Sequence, residues 1–234
     1  MPKLVIFDMD GLLIDSEPLW AQAELSVLTS HGVSPEVHDR TLTTHLRIHE
    51  VAQYWIDRCG LSARAIEIVD SVTEEMKRIV GQDAVLMDGA QELLNCIDAS
   101  SLHTCIASTA PLEIVDAVVN ALGVGHYFDA VFSTDSCAYG KPHPEIILKV
   151  LKYFGVKPED AIIFEDSING VIATKAARAT CIAIPSNEDY HDPRYTIADY
   201  KCRNAHEAIA VFRDILRGDL RPNPVPVTRG LEIG

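Results

Sequence analysis

Short apolar runs without helical period alternate with amphipathic stripes along most of this chain, and that alternation restricts the fold more than any other feature. Lys3 to Phe7, Thr104 to Ala107, Ala130 to Phe132, Ala161 to Phe164 and Thr180 to Ile184 each read as a buried strand. Between them, Ile114, Val115, Val118 and Leu122 share one helical face, with Gly123 after them. Ile146, Ile147, Val150, Leu151 and Phe154 repeat the pattern before Gly155. Strand followed by helix, repeated from Asp83 onward, implies βα units. The expectation is an α/β fold with a parallel sheet covered by helices on both faces.

The stretch between Ser16 and Gln82 breaks the rhythm, because it holds helical stripes and no strand. Trp20, Ala23, Val27 and Leu28 form one stripe, opened by Ser16 as N-cap and closed by Gly32. Ile48, Val51, Ala52, Trp55, Ile56 and Cys59 form a second, ended by Gly60, and Val69, Val72, Met76, Ile79 and Val80 a third. The chain is therefore read as an α/β core made of 1–15 and 83–217, with an all-α insert over 16–82. Residues 218–234, where Pro222, Pro224 and Pro226 lie among glycines, form a Pro/Gly-rich tail with no assigned role. An insert at the carboxyl end of a parallel strand lies over the crevice where such sheets bind ligands, so it reads as a cap.

With 47% hydrophobic and 23% charged residues the chain reads as a folded globular protein. A formal net charge of -14 repels nucleic-acid phosphate, which argues against a nucleic-acid partner. No apolar stretch is long enough to span a membrane, and the N-terminal run is too short for a signal peptide, so a cytoplasmic location is expected. Six dispersed cysteines contain no C-x-x-C pair and read as buried small hydrophobes.

Chemistry concentrates at strand ends. Asp8 and Asp10 follow the first strand; two carboxylates so placed repel each other and attract a hard cation. An EF-hand loop starting at Asp8 needs Gly and Glu where the chain has Leu13 and Leu19, so that reading fails. Glu165 and Asp166 end another strand and open a helix. Ser108, followed by Thr109, ends a third, where a hydroxyl and free backbone N–H groups suit an anion or simply cap a helix. Lys141 lies in Gly140-Lys141-Pro142-His143-Pro144, a loop stiffened by prolines.

Taken together, Phe7-Asp8-Met9-Asp10-Gly11, Ile106-Ala107-Ser108-Thr109, Gly140-Lys141-Pro142 and Phe164-Glu165-Asp166-Ser167 resemble the four motifs of the haloacid dehalogenase superfamily of hydrolases. Within it the chain is similar to the β-phosphoglucomutase-like branch. Gly11 to Trp20 and Asp192-Pro193-Arg194 resemble the bacterial 2-deoxyglucose-6-phosphate and hexitol phosphatases. The resemblance implies a Rossmann-like sheet with a helical cap and a Mg2+-dependent phosphatase of small phosphorylated sugars or sugar alcohols; a monomer or weak dimer is expected. It implies Asp8 as nucleophile and Asp10 as general acid and base. Mg2+ would be held by Asp8, Asp10 (through its carbonyl), Asp166 and Glu165, and substrate phosphate by Ser108, Thr109 and Lys141. Arg47 resembles a phosphate-contacting cap arginine; Lys77 and His45 are further cap candidates, and Trp20 closes over a sugar or packs in the core. A phosphomutase on hexose phosphates is the alternative, and a non-catalytic cation- or partner-binding protein a third reading.

Overall fold

The computed structural model describes residues 1–39, 43 and 46–220. Six parallel strands form one sheet: β1 (Leu4–Phe7), β2 (His103–Ser108), β3 (Ala130–Ser133), β4 (Ala161–Glu165), β5 (Thr180–Ala183) and β6 (Tyr200–Lys201), in the order β3-β2-β1-β4-β5-β6. β1 and β4 are buried at every position, as expected of central parallel strands covered on both sides. Their side chains part by strand alternation. Val5, Phe7, Ile162 and Phe164 face one core, which also holds residues of α4 (Ala90–Asp98), α5 (Leu112–Leu122) and α8 (Ala205–Arg217). Leu4, Ile6, Ala161 and Ile163 face the other, with α6 (Glu145–Phe154) and α7 (Ile168–Ala176). The five strands read from the sequence all form, within a residue or two at each end. β6 is an addition: two half-buried residues give no apolar run to read.

Between β1 and α4 lie α1 (Glu17–Ser30), α2 (Ile48–Cys59) and α3 (Ala65–Asp83), the three stripes of the sequence. α3 packs against α1, α2 and α5, so this helical layer shares a continuous apolar cluster with one face of the sheet. Gly60, Gly123 and Gly155 take the left-handed C-cap conformation that ends α2, α5 and α6. One local expectation fails. Ser16 occupies the N-cap of α1, but its backbone is αR and its buried hydroxyl has no hydrogen-bond partner among the described residues. Pro18 in the first turn removes one of the N–H groups a cap would serve. His45 and residues 221–234 of the tail lie outside the described residues.

Register decides what meets at the top of the sheet. Phe7 is paired with Ile106 on one side and with Phe164 on the other. Asp8, Ala107 and Glu165, each one residue further on, therefore stand level in a row across three adjacent strands. The sheet order changes direction at β1 and β4, the place where open α/β sheets bind ligands.

Candidate active site

Lys141 reaches across that row. Its Nζ donates to Asp8 Oδ1 at 2.6 Å, to Glu165 Oε1 at 2.6 Å and to the Ala107 carbonyl at 3.0 Å. An ammonium has three hydrogens, and all three are used. This satisfaction is what lets a lysine side chain only 4% exposed remain charged. Burial works against its charged form, but Asp8 and Glu165 outweigh it and hold its pKa above the ordinary lysine value.

The acids are crowded. One carboxylate oxygen each from Asp8, Glu165 and Asp166 lies within 4.8 Å of the others. Burial first, then repulsion from Asp8, pushes the pKa of Glu165 up, against the pull of Lys141. Asp166 is pushed up by burial and by the charges of Asp8 and Glu165. Glu165 Oε2 is buried without a hydrogen-bond partner among the described residues. An orphaned carboxylate oxygen beside two more carboxylates, all hard oxygen donors, fits a divalent cation such as Mg2+.

Two glycines let the acids come this close. Gly11 has φ +71°, and a Cβ there would lie 2.2 Å from Asp166 Oδ2. A Cβ on Gly170, in the first turn of α7, would lie 1.8 Å from Glu165 Oε2. Tyr195 supports the same strand end from outside: its hydroxyl donates to the Asp166 carbonyl at 2.7 Å.

Asp10 stands apart from the three-acid cluster. Trp20 Nε1 donates to its Oδ1 at 3.0 Å, and Ser108 Oγ lies 3.3 Å from its Oδ2. Ser108 Oγ also accepts from the Ala110 N–H at 3.0 Å. A cleft opens over this set, with Asp8, Asp10, Thr109, Lys141 and Asp166 at one end and α1 and α2 above them.

The structure thus brings Asp8, Asp10, Ser108, Thr109, Lys141, Glu165 and Asp166 to one place. The cap candidates are elsewhere. Arg47 donates to the carbonyls of Thr134 at 3.2 Å and Ala138 at 3.5 Å, and its stem packs on Gly140; it ties α2 to the loop that carries Lys141. Lys77 is a partly exposed surface cation between Glu74 and Glu113. Trp20 combines both sequence readings, since it is 9% exposed in the core and also lines the cleft. Glu17 and Glu24 line the cleft without having been singled out, and Glu24 meets His38 Nε2 at 3.3 Å. The signal was present: Glu17, Trp20 and Glu24 are spaced to share one helical face.

Known proteins resemble this chain over most of its length. A family model described as haloacid dehalogenase-like hydrolase matches residues 2–178. Hexitol phosphatase B of Escherichia coli K12 is 37% identical over 213 residues, covering 90% of this chain and 95% of that protein. A phosphorylated carbohydrates phosphatase of Thermotoga maritima is 36% identical over 184 residues, covering 75% and 81%. Among solved structures, CbbY from Rhodobacter sphaeroides in complex with phosphate superposes with a TM-score of 0.79 at 26% identity, covering 88% of this chain and 96% of that one. A putative β-phosphoglucomutase from Thermotoga maritima gives 0.74 at 27% identity, covering 92% and 100%. The chain belongs to the haloacid dehalogenase-like hydrolases, in their β-phosphoglucomutase-like branch.

Proposed function

We propose that this enzyme is a Mg2+-dependent phosphatase of small phosphorylated sugars or sugar alcohols that works through an aspartyl-phosphate. The observation that carries the reading is the level row of Asp8 and Glu165 bridged by Lys141, with Asp10 and Ser108 beside it, where Asp8, Asp10 and Lys141 line one end of a cleft. The hexitol and carbohydrate phosphatases similar to it support the substrate class.

An Asp8 oxygen attacks phosphorus; an Asp8 O–P bond forms as the ester P–O bond breaks. Asp10 gives its proton to the departing alkoxide, then takes one from the water that attacks the aspartyl-phosphate and releases inorganic phosphate. The Ser108 hydroxyl and Thr109 hold the non-bridging oxygens in line with Asp8, while Lys141, whose three hydrogens go to Asp8, Glu165 and the Ala107 carbonyl, fixes Asp8 and adds positive charge beside them. Asp8, Glu165, Asp166 and the Asp10 carbonyl would hold Mg2+, whose charge offsets the repulsion between a carboxylate nucleophile and a phosphate dianion.

Hydrolysis is preferred to mutase chemistry for a geometric reason. A mutase must grip a second phosphate, and Arg47 turns to the carbonyls of Thr134 and Ala138 and is not among the residues that line the cleft. Phosphate release should be followed on a panel of sugar, polyol and nucleotide monophosphates, with Mg2+ and with EDTA, for the wild type and Asp8→Asn. Release from sugar or polyol phosphates that disappears with EDTA and with Asp8→Asn is expected. Activity that survives either change overturns the mechanism. Conversion of β-glucose 1-phosphate to glucose 6-phosphate without free phosphate overturns the preference for hydrolysis.

A further inference from the structure

The geometry points to Trp20 as a positioning residue for Asp10: the indole N–H fixes the carboxylate that protonates the leaving oxygen. This rests on the phosphatase reading above.

Asp10 follows β1, whereas Trp20 lies in the first turns of α1, in the helical layer above the sheet. The link between them is one hydrogen bond, Nε1 to Oδ1 at 3.0 Å. The turn from Met9 to Ile14 makes it possible. Leu13 and Ile14 both donate backbone N–H groups to the Met9 carbonyl, and Gly11 donates to the Ile14 carbonyl. The chain thereby folds back and brings the start of α1 over the end of β1. Trp20 is buried to nine-tenths in the cluster that contains Leu12, Leu13, Leu19 and Ala23, so its ring has little freedom to leave.

The two partners of Asp10 differ in what they permit. A serine hydroxyl rotates, and donates or accepts as required, so Ser108 can follow either protonation state at Oδ2. An indole N–H only donates. Oδ1 therefore remains an acceptor throughout, and Oδ2 is the oxygen through which the proton is given up and recovered. Losing the N–H frees the carboxylate to rotate, and the cost falls on proton transfer more than on substrate binding.

A leaving group that needs no proton separates this role from a structural one. Trp20→Phe keeps most of the ring and removes the donor; Trp20→His restores a donor with less packing. With a hexitol 6-phosphate, whose alkoxide must be protonated, Trp20→Phe is expected to lower kcat/KM by roughly 10- to 100-fold, with KM nearly unchanged. With p-nitrophenyl phosphate, whose phenolate departs unaided, the same change is expected to cost under about threefold, because kcat/KM reports the first irreversible step. Trp20→His should recover part of the loss on the hexitol phosphate alone. Equal losses on both substrates, a change confined to KM, or no change on either overturns the proposal. A wild-type protein that hydrolyses neither ester overturns the phosphatase reading itself, a result the variants cannot produce.

Discussion

Gly170→Ala tests whether the acid cluster depends on a missing side chain. In most helices the substitution helps, by up to ~1 kcal/mol, since alanine has the better helix propensity. Here the new Cβ would lie 1.8 Å from Glu165 Oε2, 2.0 Å from Cδ and 2.3 Å from Oε1, so the whole carboxyl must leave. Glu165 cannot swing aside cheaply. It is fully buried, and Oε1 holds one of the three hydrogens of Lys141. Breaking a buried ion pair costs about 3–5 kcal/mol. Setting the helix gain against that loss, Gly170→Ala should destabilise the enzyme by about 2–4 kcal/mol and lower its melting temperature by roughly 5–15 °C. In a Glu165→Ala background there is no carboxyl to meet, and the same change should be neutral or stabilising by up to ~1 kcal/mol. Thermal unfolding of the four proteins, followed by far-UV circular dichroism, gives the coupling energy. A cost that is the same in both backgrounds would refute the account.

Two other outcomes follow from the same geometry. Without metal, burial and repulsion from Asp8 raise the pKa of Glu165 above its ordinary 4.5, so the folded state holds a proton to higher pH than the unfolded chain does. Stability should therefore fall as pH rises through that window, and stabilisation by Mg2+ should grow with pH. Melting temperatures in EDTA and in Mg2+ at about pH 5 and about pH 8 check this; a gap that does not widen contradicts it. Arg47→Ala should cost about 1 kcal/mol by freeing two carbonyls, and should lower kcat/KM alike for hexose monophosphates and bisphosphates. Selective loss of the bisphosphates would mean that Arg47 grips phosphate.

The part of the site that was legible in the sequence is the part written at strand ends. Asp8, Ser108 and Glu165 each follow apolar residues that can only be strand, so both the type of side chain and its height in the fold could be read together. What the sequence did not carry is direction across the sheet. Lys141 is a loop residue, and nothing local says that it spans Ala107, Asp8 and Glu165; that follows from the register of three strands far apart in the chain. Arg47 shows the same limit in reverse. A cation before a helix of the insert suggests a ligand contact, yet its guanidinium finds the carbonyls of a distant loop. The Trp20–Asp10 bond needs the tight turn between them, which a hydrophobic stripe along α1 does not reveal.

The balance of charge explains why so many of these contacts are directional. Four carboxylates, Asp8, Asp10, Glu165 and Asp166, share this corner with one ammonium in direct contact, Lys141. A divalent cation offsets two of the negative charges and still leaves an excess, so net attraction alone does not hold a phosphate dianion there. In the proposed mechanism aimed donors do it, the Ser108 hydroxyl and the backbone beyond β2, with the Lys141 charge behind them. In the proposed mechanism, the proton that Asp10 donates has two effects. It supplies the leaving oxygen, and it removes one negative charge while the dianion is seated. A side chain that held Asp10 by donating two hydrogen bonds would suit the ionised form alone. One fixed donor from Trp20 and one reversible hydroxyl from Ser108 accommodate both forms, as the role proposed for Asp10, first acid and then base, requires.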